Sequence, residues 1–316
     1  MIFKIYHSPV MASESVSLLK PESGNVFVDG TIGEGGHAVL LGKALKADGI
    51  LIGIDKDGDN LKIAEQRLNK LKVNFKVFQD SYVNIGKVLN NVGLKKADGI
   101  LLDLGFSMKH VKNASRGFSF FEDELLDMRY DTSSGISAQE WLKQAKVSEV
   151  REVLKRYGQE EESFRVAKAV VSMARNTTDI TARVLADTIS KVKRKKSRRR
   201  HPATKAFQAI RIQVNSEIDD LKKGLENALA CLKKGGRLVV LTYHSLEDRI
   251  VKRFFLKYSG KCECPRALPV CVCGGKKIRP LVKILPKSGT MALKEEKRKN
   301  PASASAHIRV CEVMEE

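Results

Sequence analysis

Four glycines follow a short apolar segment near the start of this chain, in Val26-Phe27-Val28-Asp29-Gly30-Thr31-Ile32-Gly33-Glu34-Gly35-Gly36-His37. A β-branched and aromatic run that ends in an acid predicts a strand, and the glycines predict a tight turn into a helix. Glycine lets a backbone adopt positive φ and lets a ligand approach closely. In an open α/β sheet, such a turn lies at the carboxyl edge of a strand, where ligands bind. We therefore expect an α/β fold with a ligand site at this turn.

The residues of the turn leave more than one ligand open. The dinucleotide fingerprint G-x-G-x-x-G lacks its last glycine here, because Ala38 stands in that place. Asp29, just before the turn, would repel a pyrophosphate. A cationic ligand suits that acid better, and the amino and sulfonium groups of S-adenosylmethionine are an example. A plain strand-to-helix corner that binds nothing stays open as an alternative.

Two further predicted strands also end in an acid. Residues 50–55 end at Asp55, close to the roughly 20-residue spacing of a carboxylate that holds ribose hydroxyls. Residues 99–105 form a continuous apolar run of the kind that is buried in a parallel sheet, and this run contains Asp103. A strand at 73–78 leads to Tyr82. Packing alone does not readily explain three acids at the same edge of one sheet.

The pattern changes after Gly105, where helical periodicity replaces strands for about a hundred residues. We predict an all-helical domain at 108–204, inserted into an α/β domain made of 1–107 and 205–316. Strands expected at 237–243, 281–285 and 307–313 complete the sheet.

Local signals within this frame give more specific expectations. Ser137 and Glu140 have capping-box spacing, Thr181 and Asp59 have the character of N-caps, and Phe164 falls on a predicted apolar face with Ala167, Val171 and Ala174. The charged segment 294–299 is expected to be a mobile loop.

The formal net charge of +20 favours a polyanionic partner, nucleic acid before membrane. Eight of the ten residues at 191–200 are basic, which makes the inserted domain the candidate for RNA binding. No segment has the length of a membrane span or the apolar core of a signal peptide, so we expect a cytoplasmic protein. A merely basic surface is the alternative.

Several motifs together resemble one known family. These are Asp29-Gly30-Thr31, Gly35-Gly36-His37, Leu101-Leu102-Asp103-Leu104-Gly105, Arg116-Gly117-Phe118-Ser119-Phe120, Leu126-Asp127-Met128-Arg129, His201-Pro202-Ala203-Thr204 with Phe207-Gln208-Ala209, Val214-Asn215-Ser216-Glu217, His244-Ser245-Leu246-Glu247-Asp248-Arg249 and Asn300-Pro301. The chain resembles the bacterial ribosomal RNA small subunit methyltransferase H family, also called MraW, over residues 7–310. The resemblance implies a Rossmann-like methyltransferase sheet. It also implies that S-adenosylmethionine methylates the exocyclic N4 amine of a cytidine in the decoding region of 16S rRNA, with the small ribosomal subunit as partner.

The resemblance also implies which residues bind the cofactor. The family's contacts fall on Gly35, Gly36, His37, Asp55, Tyr82, Asp103 and His110. His110 departs from the family pattern, which has glutamine there, although imidazole can also donate and accept hydrogen bonds. The residue types suit these roles: Asp55 can accept from both ribose hydroxyls, and Tyr82 can cover the adenine.

Asp103 is the candidate catalytic residue. The amine of cytosine is a poor nucleophile, and a carboxylate that accepts its hydrogen bonds would favour a pyramidal, nucleophilic nitrogen, with Phe106 available to stack on the base. Carbon-5 methylation needs a cysteine, which residues 104–109 lack, whereas the amine methylases of DNA carry prolines after the acid that are missing here. His244, Arg116 and Arg129 have a structural alternative, so they are not assigned to catalysis.

Four of the six cysteines form two C-x-C pairs, Cys262 with Cys264 and Cys271 with Cys273. They resemble a four-thiolate zinc site, although structural zinc more often uses C-x₂₋₄-C spacing. Reduced cytoplasmic thiols are the alternative. Two alternatives for the whole protein also stay open: a methyltransferase that acts on another RNA position or on DNA, and a non-catalytic RNA-binding or assembly factor.

Overall fold

A computed structural model gives the structure of the chain, and it describes residues 9–105, 116–120, 123–194, 201–262, 264, 268, 270–272, 280–286 and 288–314. The chain divides into two compact units. The first unit comprises Met1–Gly105 with Asp219–Glu316, and the second comprises Phe106–Ile218. The second unit therefore extends beyond residue 204, where the sequence pattern places the end of the insertion.

The first unit contains one mixed sheet. Its strands are β1 (Val26–Asp29), β2 (Ile50–Asp55), β3 (Asn74–Gln79), β4 (Ala97–Asp103), β5 (Leu232–Thr242), β6 (Val282–Ile284), β7 (Thr290–Met291) and β8 (His307–Val313). The order is β3-β2-β1-β4-β5-β8-β6, and β7 also pairs with β8. The strands from β3 to β5 are parallel, whereas β8 is antiparallel to β5, β6 and β7. The predicted Rossmann-like sheet is thus confirmed.

The helices of the described residues follow in chain order. They are α1 (Ala12–Leu19), α2 (Gly36–Ala44), α3 (Gly58–Leu68), α4 (Ile85–Asn91), α5 (Ala138–Gln144), α6 (Val147–Arg156), α7 (Ser163–Asn176), α8 (Ala182–Val192), α9 (Thr204–Val214), α10 (Glu217–Ala230), α11 (Ser245–Tyr258) and α12 (Lys294–Lys299). Among the described residues, no helix is long and apolar enough to cross a membrane.

The central strands of the sheet are buried on both faces, which explains why they are continuous apolar runs. Side chains of a strand alternate between the two faces, so Val28 packs into one hydrophobic cluster and Phe27 into the other. The same alternation separates Leu102 from Leu101 in β4. Burial on both faces leaves the ends of the strands as the places where polar side chains reach solvent.

The regular secondary structure among the described residues of the second unit is all helix, apart from an isolated bridge between Leu125 and Thr181. The predicted capping box is confirmed: the Ser137 hydroxyl accepts from the backbone N–H of Glu140, whose side chain accepts from the N–H of Ser137. Thr181 caps α8 as predicted, by accepting from the N–H of Val184. These caps provide partners for backbone donors that a helix itself leaves unpaired.

Three local expectations were wrong. Asp57, not Asp59, caps α3, because the helix begins at Gly58 and the N–H of Asp59 donates to the Asp57 carboxylate. Phe164 is 58% exposed, with the guanidinium of Arg151 over its ring.

The third error concerns the segment Lys294–Lys299, which is a helix rather than a loop. Its two glutamates occupy the first turn and its basic residues the last, which is the arrangement that the helix dipole favours. An ion pair between Lys299 and Glu295, one turn apart, supports it. The N–H of Met11 also donates to the Glu296 carboxylate, which ties the helix to the start of α1.

Candidate active site

The glycine turn between β1 and α2 has a backbone that requires glycine. Gly33 and Gly35 have positive φ values of 51° and 80°, a conformation that other residues rarely adopt. A Cβ on Gly35 would lie 3.2 Å from the Cα of Ala64 in α3, so the turn packs directly against a helix backbone. Gly35 is the N-cap of α2 and Gly36 is its first residue. The turn therefore presents backbone, rather than side chains, beside the end of β1.

Asp55 ends β2 and is held by two backbone donors. One carboxylate oxygen accepts from the N–H of Gly33 and the other from the N–H of Asp57, each at 2.8 Å. These hydrogen bonds fix the carboxylate against the glycine turn. A carboxylate is a hydrogen-bond acceptor with about four lone-pair sites, a type of group that suits the hydroxyls of a ribose.

Tyr82 lies in a 3-10 turn, Tyr82–Asn84, just after β3. A Cβ on Gly224 would lie 2.2 Å from Cε2 of Tyr82, so the ring packs directly on the α10 backbone. Asn227, one turn further along α10, donates to the carbonyl of Val83 at 2.6 Å. Helix α10 therefore fixes the position of the Tyr82 ring, which the residues around β3 alone would not do.

Asp103 ends β4 and has contacts from three directions. Its own N–H donates to the Thr31 hydroxyl at 2.6 Å, which joins β4 to the glycine turn. One carboxylate oxygen accepts from the Tyr243 hydroxyl at 2.7 Å, and the other lies 3.6 Å from Nδ1 of His37. Burial, together with the Asp103 charge, raises the pKa of Tyr243 well above its usual value, so the phenol remains a donor. The Asp103 carboxylate is therefore oriented by groups from both neighbouring strand ends.

Asp29 is the most buried of the three strand-end acids, with 1% of its surface exposed. One carboxylate oxygen accepts from the N–H of Thr31 at 3.3 Å, while the other is buried without a hydrogen-bond partner in the structure. Burial raises the pKa of Asp29 to about 7, and the charges of Asp103 and Asp55 act in the same direction, whereas His37 lowers it. A cation bound nearby would favour ionised Asp29.

His37 is in the first turn of α2, and its side chain is 5% exposed. Its Nε2 lies 3.0 Å from the carbonyl oxygen of Val10, so this nitrogen carries the hydrogen. Its Nδ1 faces Asp103. The ring thus lies against the Asp103 carboxylate, with which it forms an ion pair when Nδ1 also carries a hydrogen.

The sequence motifs missed two residues of this site. Tyr243 directly follows β5, and its place after a buried strand could have pointed to it. Gly224 lies within an ordinary amphipathic helix, and nothing in the sequence around it signals contact with Tyr82. Phe106 and His110, both expected near the site, lie outside the described residues.

His244 is a capping residue in the structure. It is the N-cap of α11, where its Nδ1 accepts from the N–H of Glu247 at 3.3 Å and its Nε2 lies 3.0 Å from the Glu247 carboxylate. The other oxygen of that carboxylate accepts from the N–H of Tyr243 at 2.9 Å. The cap explains the Nδ1 contact of His244, whereas its buried Nε2 has no hydrogen-bond partner among the described residues.

Several motif residues of the helical unit are also occupied with internal contacts. Arg129 forms a two-pronged ion pair with Asp127, at 2.8 and 2.7 Å. Arg116 donates to the carbonyl of Tyr130. Asn215 accepts from the N–H of Tyr130 and donates to the carbonyl of Met128. The sequence left two roles open for Arg116 and Arg129, phosphate contact and structural partner. These contacts support the structural role.

The residues at this edge fit S-adenosylmethionine. The unpartnered buried oxygen of Asp29 suits a cationic ligand, and a Cβ on Gly33 would meet only the Thr31 carbonyl oxygen at 3.9 Å, so the turn is open on that side. Asp55 is oriented toward the same turn and can accept from hydroxyls.

Comparison with known proteins gives one family. The model of the MraW methylase family matches residues 4–314. Proteins called ribosomal RNA small subunit methyltransferase H are 40% identical in Syntrophotalea carbinolica (96% of each chain) and 41% identical in Pelobacter propionicus (97% of this chain and 98% of the relative). A crystal structure of an rRNA methylase from Streptococcus thermophilus is similar at a TM-score of 0.40 and 11% identity, covering 100% of this chain and 99% of the other.

The contact between Gly224 and Tyr82 gives a first prediction. Gly224→Ala should weaken S-adenosylmethionine binding, because the new methyl group would displace the tyrosine ring. Alanine favours a helix over glycine by about 0.8–1 kcal/mol, so reduced affinity would not come from a weaker helix. Calorimetry measures the affinity. Gly42→Ala in α2 is the matched control, because its Cβ would meet no atom closer than 3.4 Å; equal affinities for both variants would contradict the prediction.

The buried carboxyl of Asp29 gives a second prediction. Between pH 4 and about 7 the unfolded chain ionises this group before the native chain does, so its contribution to the free energy of unfolding decreases as pH rises. Asp29→Asn cannot ionise and should therefore gain stability relative to wild type between pH 4.5 and pH 8. Urea unfolding without cofactor measures this difference. Glu65→Gln, at an exposed position on α3, is the control; parallel curves for wild type and Asp29→Asn would refute the assignment.

Proposed function

The chain belongs to the MraW methylase family, and on that premise we propose that it transfers a methyl group from S-adenosylmethionine to the exocyclic N4 amine of a cytidine in small-subunit rRNA. The observation that carries this proposal is the Asp103 carboxylate, oriented by Tyr243 and His37 beside the glycine turn. We further propose that the 16S rRNA is presented within the small ribosomal subunit, in the cytoplasm.

The chemistry demands little of the protein beyond positioning. Bound S-adenosylmethionine supplies an electrophilic methyl group with a neutral thioether as leaving group. As the cytidine nitrogen forms its new bond to carbon, it must lose one proton. Asp103 can accept a hydrogen bond from the amine before transfer and take that proton afterwards. Tyr243 and His37 hold the carboxylate in one orientation, so no reorganisation is needed during the reaction.

The same residues weigh against carbon-5 methylation. That reaction needs a cysteine nucleophile, and none occurs at 104–109, after β4. Two cysteines of the sheet unit, Cys231 and Cys311, are buried. Burial raises the pKa of the Cys311 thiol far above its ordinary range, so it stays protonated and unreactive. Amine methylation needs no such nucleophile, and Asp103 serves it directly.

Loss of the Asp103 carboxylate should abolish turnover without unfolding the chain. We expect Asp103→Ala to reduce methyl transfer at saturating cofactor by about 10²–10⁴-fold, the usual contribution of a positioned acid or base. Transfer of labelled methyl groups to small subunits measures the rate, and calorimetry separately measures cofactor binding. Tyr243→Phe keeps the ring but loses the donor, and should give an intermediate rate. Normal turnover of Asp103→Ala would mean that another group accepts the proton.

Ribosomal RNA from a deletion strain tests which nucleoside the enzyme methylates. In a strain that lacks this gene, mass spectrometry of 16S rRNA nucleosides should show loss of N4-methylated cytidine, and the wild-type gene should restore it. The gene carrying Asp103→Ala should not. Loss of a modification on a different base would identify another RNA methyltransferase, and unchanged nucleosides would favour a non-catalytic assembly factor.

We also propose that the helical unit binds RNA phosphates through the basic segment 191–200. The structure describes its first four residues, and one of them has another role. Lys193 forms an ion pair with the buried carboxylate of Glu160 at 2.7 Å and donates to the carbonyl of Pro202. Lys191 and Arg194 are at the surface. Residues 195–200, which contain most of the charge, lie outside the described residues.

This proposal predicts a change in salt dependence. Replacing Lys195, Lys196, Arg198 and Arg199 by serine should weaken RNA binding and make its salt dependence shallower, by about 0.7 per lost phosphate contact on single strands. Lys193 is left in place because it pairs with Glu160. Filter binding at several salt concentrations measures the slope. Serine at Lys87, Lys95, Lys223 and Lys234, exposed positions of the sheet unit, removes the same charge; equal slopes for both variants would place the RNA elsewhere.

A further inference from the structure

The segment between α11 and β6 belongs to the sheet unit, and its two ends lie next to each other. The N–H of Leu281 donates to the carbonyl of Tyr258 at 2.9 Å, which joins the two ends of the segment. Among its described residues there is no helix or strand. Something other than helix or strand hydrogen bonding must therefore hold these described residues in place.

A hydrophobic core does not stabilise the described part of this segment. Val270 and Val272 are 70% and 76% exposed, and Leu268 is also exposed. These apolar side chains alternate with cysteines rather than packing together. Small units that cannot bury enough apolar surface commonly depend on disulfides or on a structural metal.

Three cysteine sulfurs meet within this segment. The Sγ of Cys271 lies 3.6 Å from that of Cys262 and 3.9 Å from that of Cys264. All three sulfurs lie within 4.8 Å of one another. Cys262 and Cys264 follow α11, whereas Cys271 lies nearer β6, and we call these two parts of the segment its arms. The fold, rather than the C-x-C spacing, therefore brings the three sulfurs together.

The separations match a shared metal ion. In a tetrahedral site with Zn–S bonds of about 2.3 Å, neighbouring sulfurs lie roughly 3.8 Å apart. A disulfide requires about 2.05 Å. Thiolates that bind different irons of an iron–sulfur cluster must lie farther apart than those that share one ion. The arrangement therefore fits one ion held by several thiolates.

We propose that Cys262, Cys264 and Cys271 bind a structural zinc ion that holds the two arms of this segment together. Soft thiolate ligands in a tetrahedral arrangement select zinc. Cys273 supplies a fourth thiol in the sequence and lies outside the described residues. Each cysteine gives up its proton when it binds the ion. The site stands apart from Asp103 and the glycine turn in the sequence, and its role is structural.

The experiment uses the full chain without an affinity tag, purified under reducing conditions without a chelator. Elemental analysis should find about one zinc per chain. After zinc removal and reduction, titration with CoCl₂ should give sulfur-to-cobalt charge-transfer bands and the visible bands of tetrahedral cobalt. Cys264→Ser and Cys271→Ser should each lower the zinc content at least about tenfold, since even groups behind the ligands change metal affinity 10–100-fold. Cys231→Ala, which removes a buried thiol outside the cluster, should retain it.

The wild-type chain alone decides the proposal even if a serine variant fails to fold. A reduced chain with all six thiols titratable that binds neither zinc nor cobalt would overturn it. Iron or copper in place of zinc would overturn the identity of the metal. Full zinc content in both serine variants would place the metal elsewhere. Calorimetry with S-adenosylmethionine checks that each variant is folded.

Discussion

Three carboxylates at one edge of a sheet are the constraint on which the site depends. Asp29, Asp55 and Asp103 end three adjacent parallel strands, so their charges repel one another in a partly buried place. Each of the three carboxylates is stabilised in a different way. Two backbone N–H groups stabilise Asp55, and Tyr243 and His37 stabilise Asp103. Asp29 has one N–H donor, and its pKa rises instead. A cationic ligand would relieve the same repulsion, whereas a pyrophosphate would add to it.

The groups that orient these carboxylates come from distant parts of the chain. Tyr243 follows β5 and His37 opens α2, yet both contact Asp103. The turn that carries Tyr82 is held by α10, which follows the helical insertion in the sequence. The position of Tyr82 therefore depends on the chain returning to the sheet unit to form α10.

Motif residues do not all serve the reaction. In the helical unit, Arg129, Asn215 and Glu217 form a network of ion pairs and hydrogen bonds with their own neighbours. Half-buried charges need partners, and removing one leaves the other costly. These contacts stay within the unit and stabilise its internal structure. The distinction matters for mutagenesis, because loss of a network residue would disturb the unit as a whole.

The sequence alone determined the sheet and its strand-end acids, because periodicity and glycine placement are local properties that report burial and turns directly. It also determined the caps at Ser137 and Thr181, since a cap and its helix are neighbours in the chain. Only the tertiary structure decided that Tyr82 packs on α10 at Gly224 and that Tyr243 and His37 contact Asp103. It also decided that cysteine sulfurs from the two arms of one segment lie close together. These are contacts between residues far apart in sequence, and no local pattern encodes which distant side chain will meet another. The segment Lys294–Lys299 is a case where the local pattern was misleading. Its charge predicted a mobile loop, but an ion pair within the segment and a contact with Met11 stabilise it as a helix.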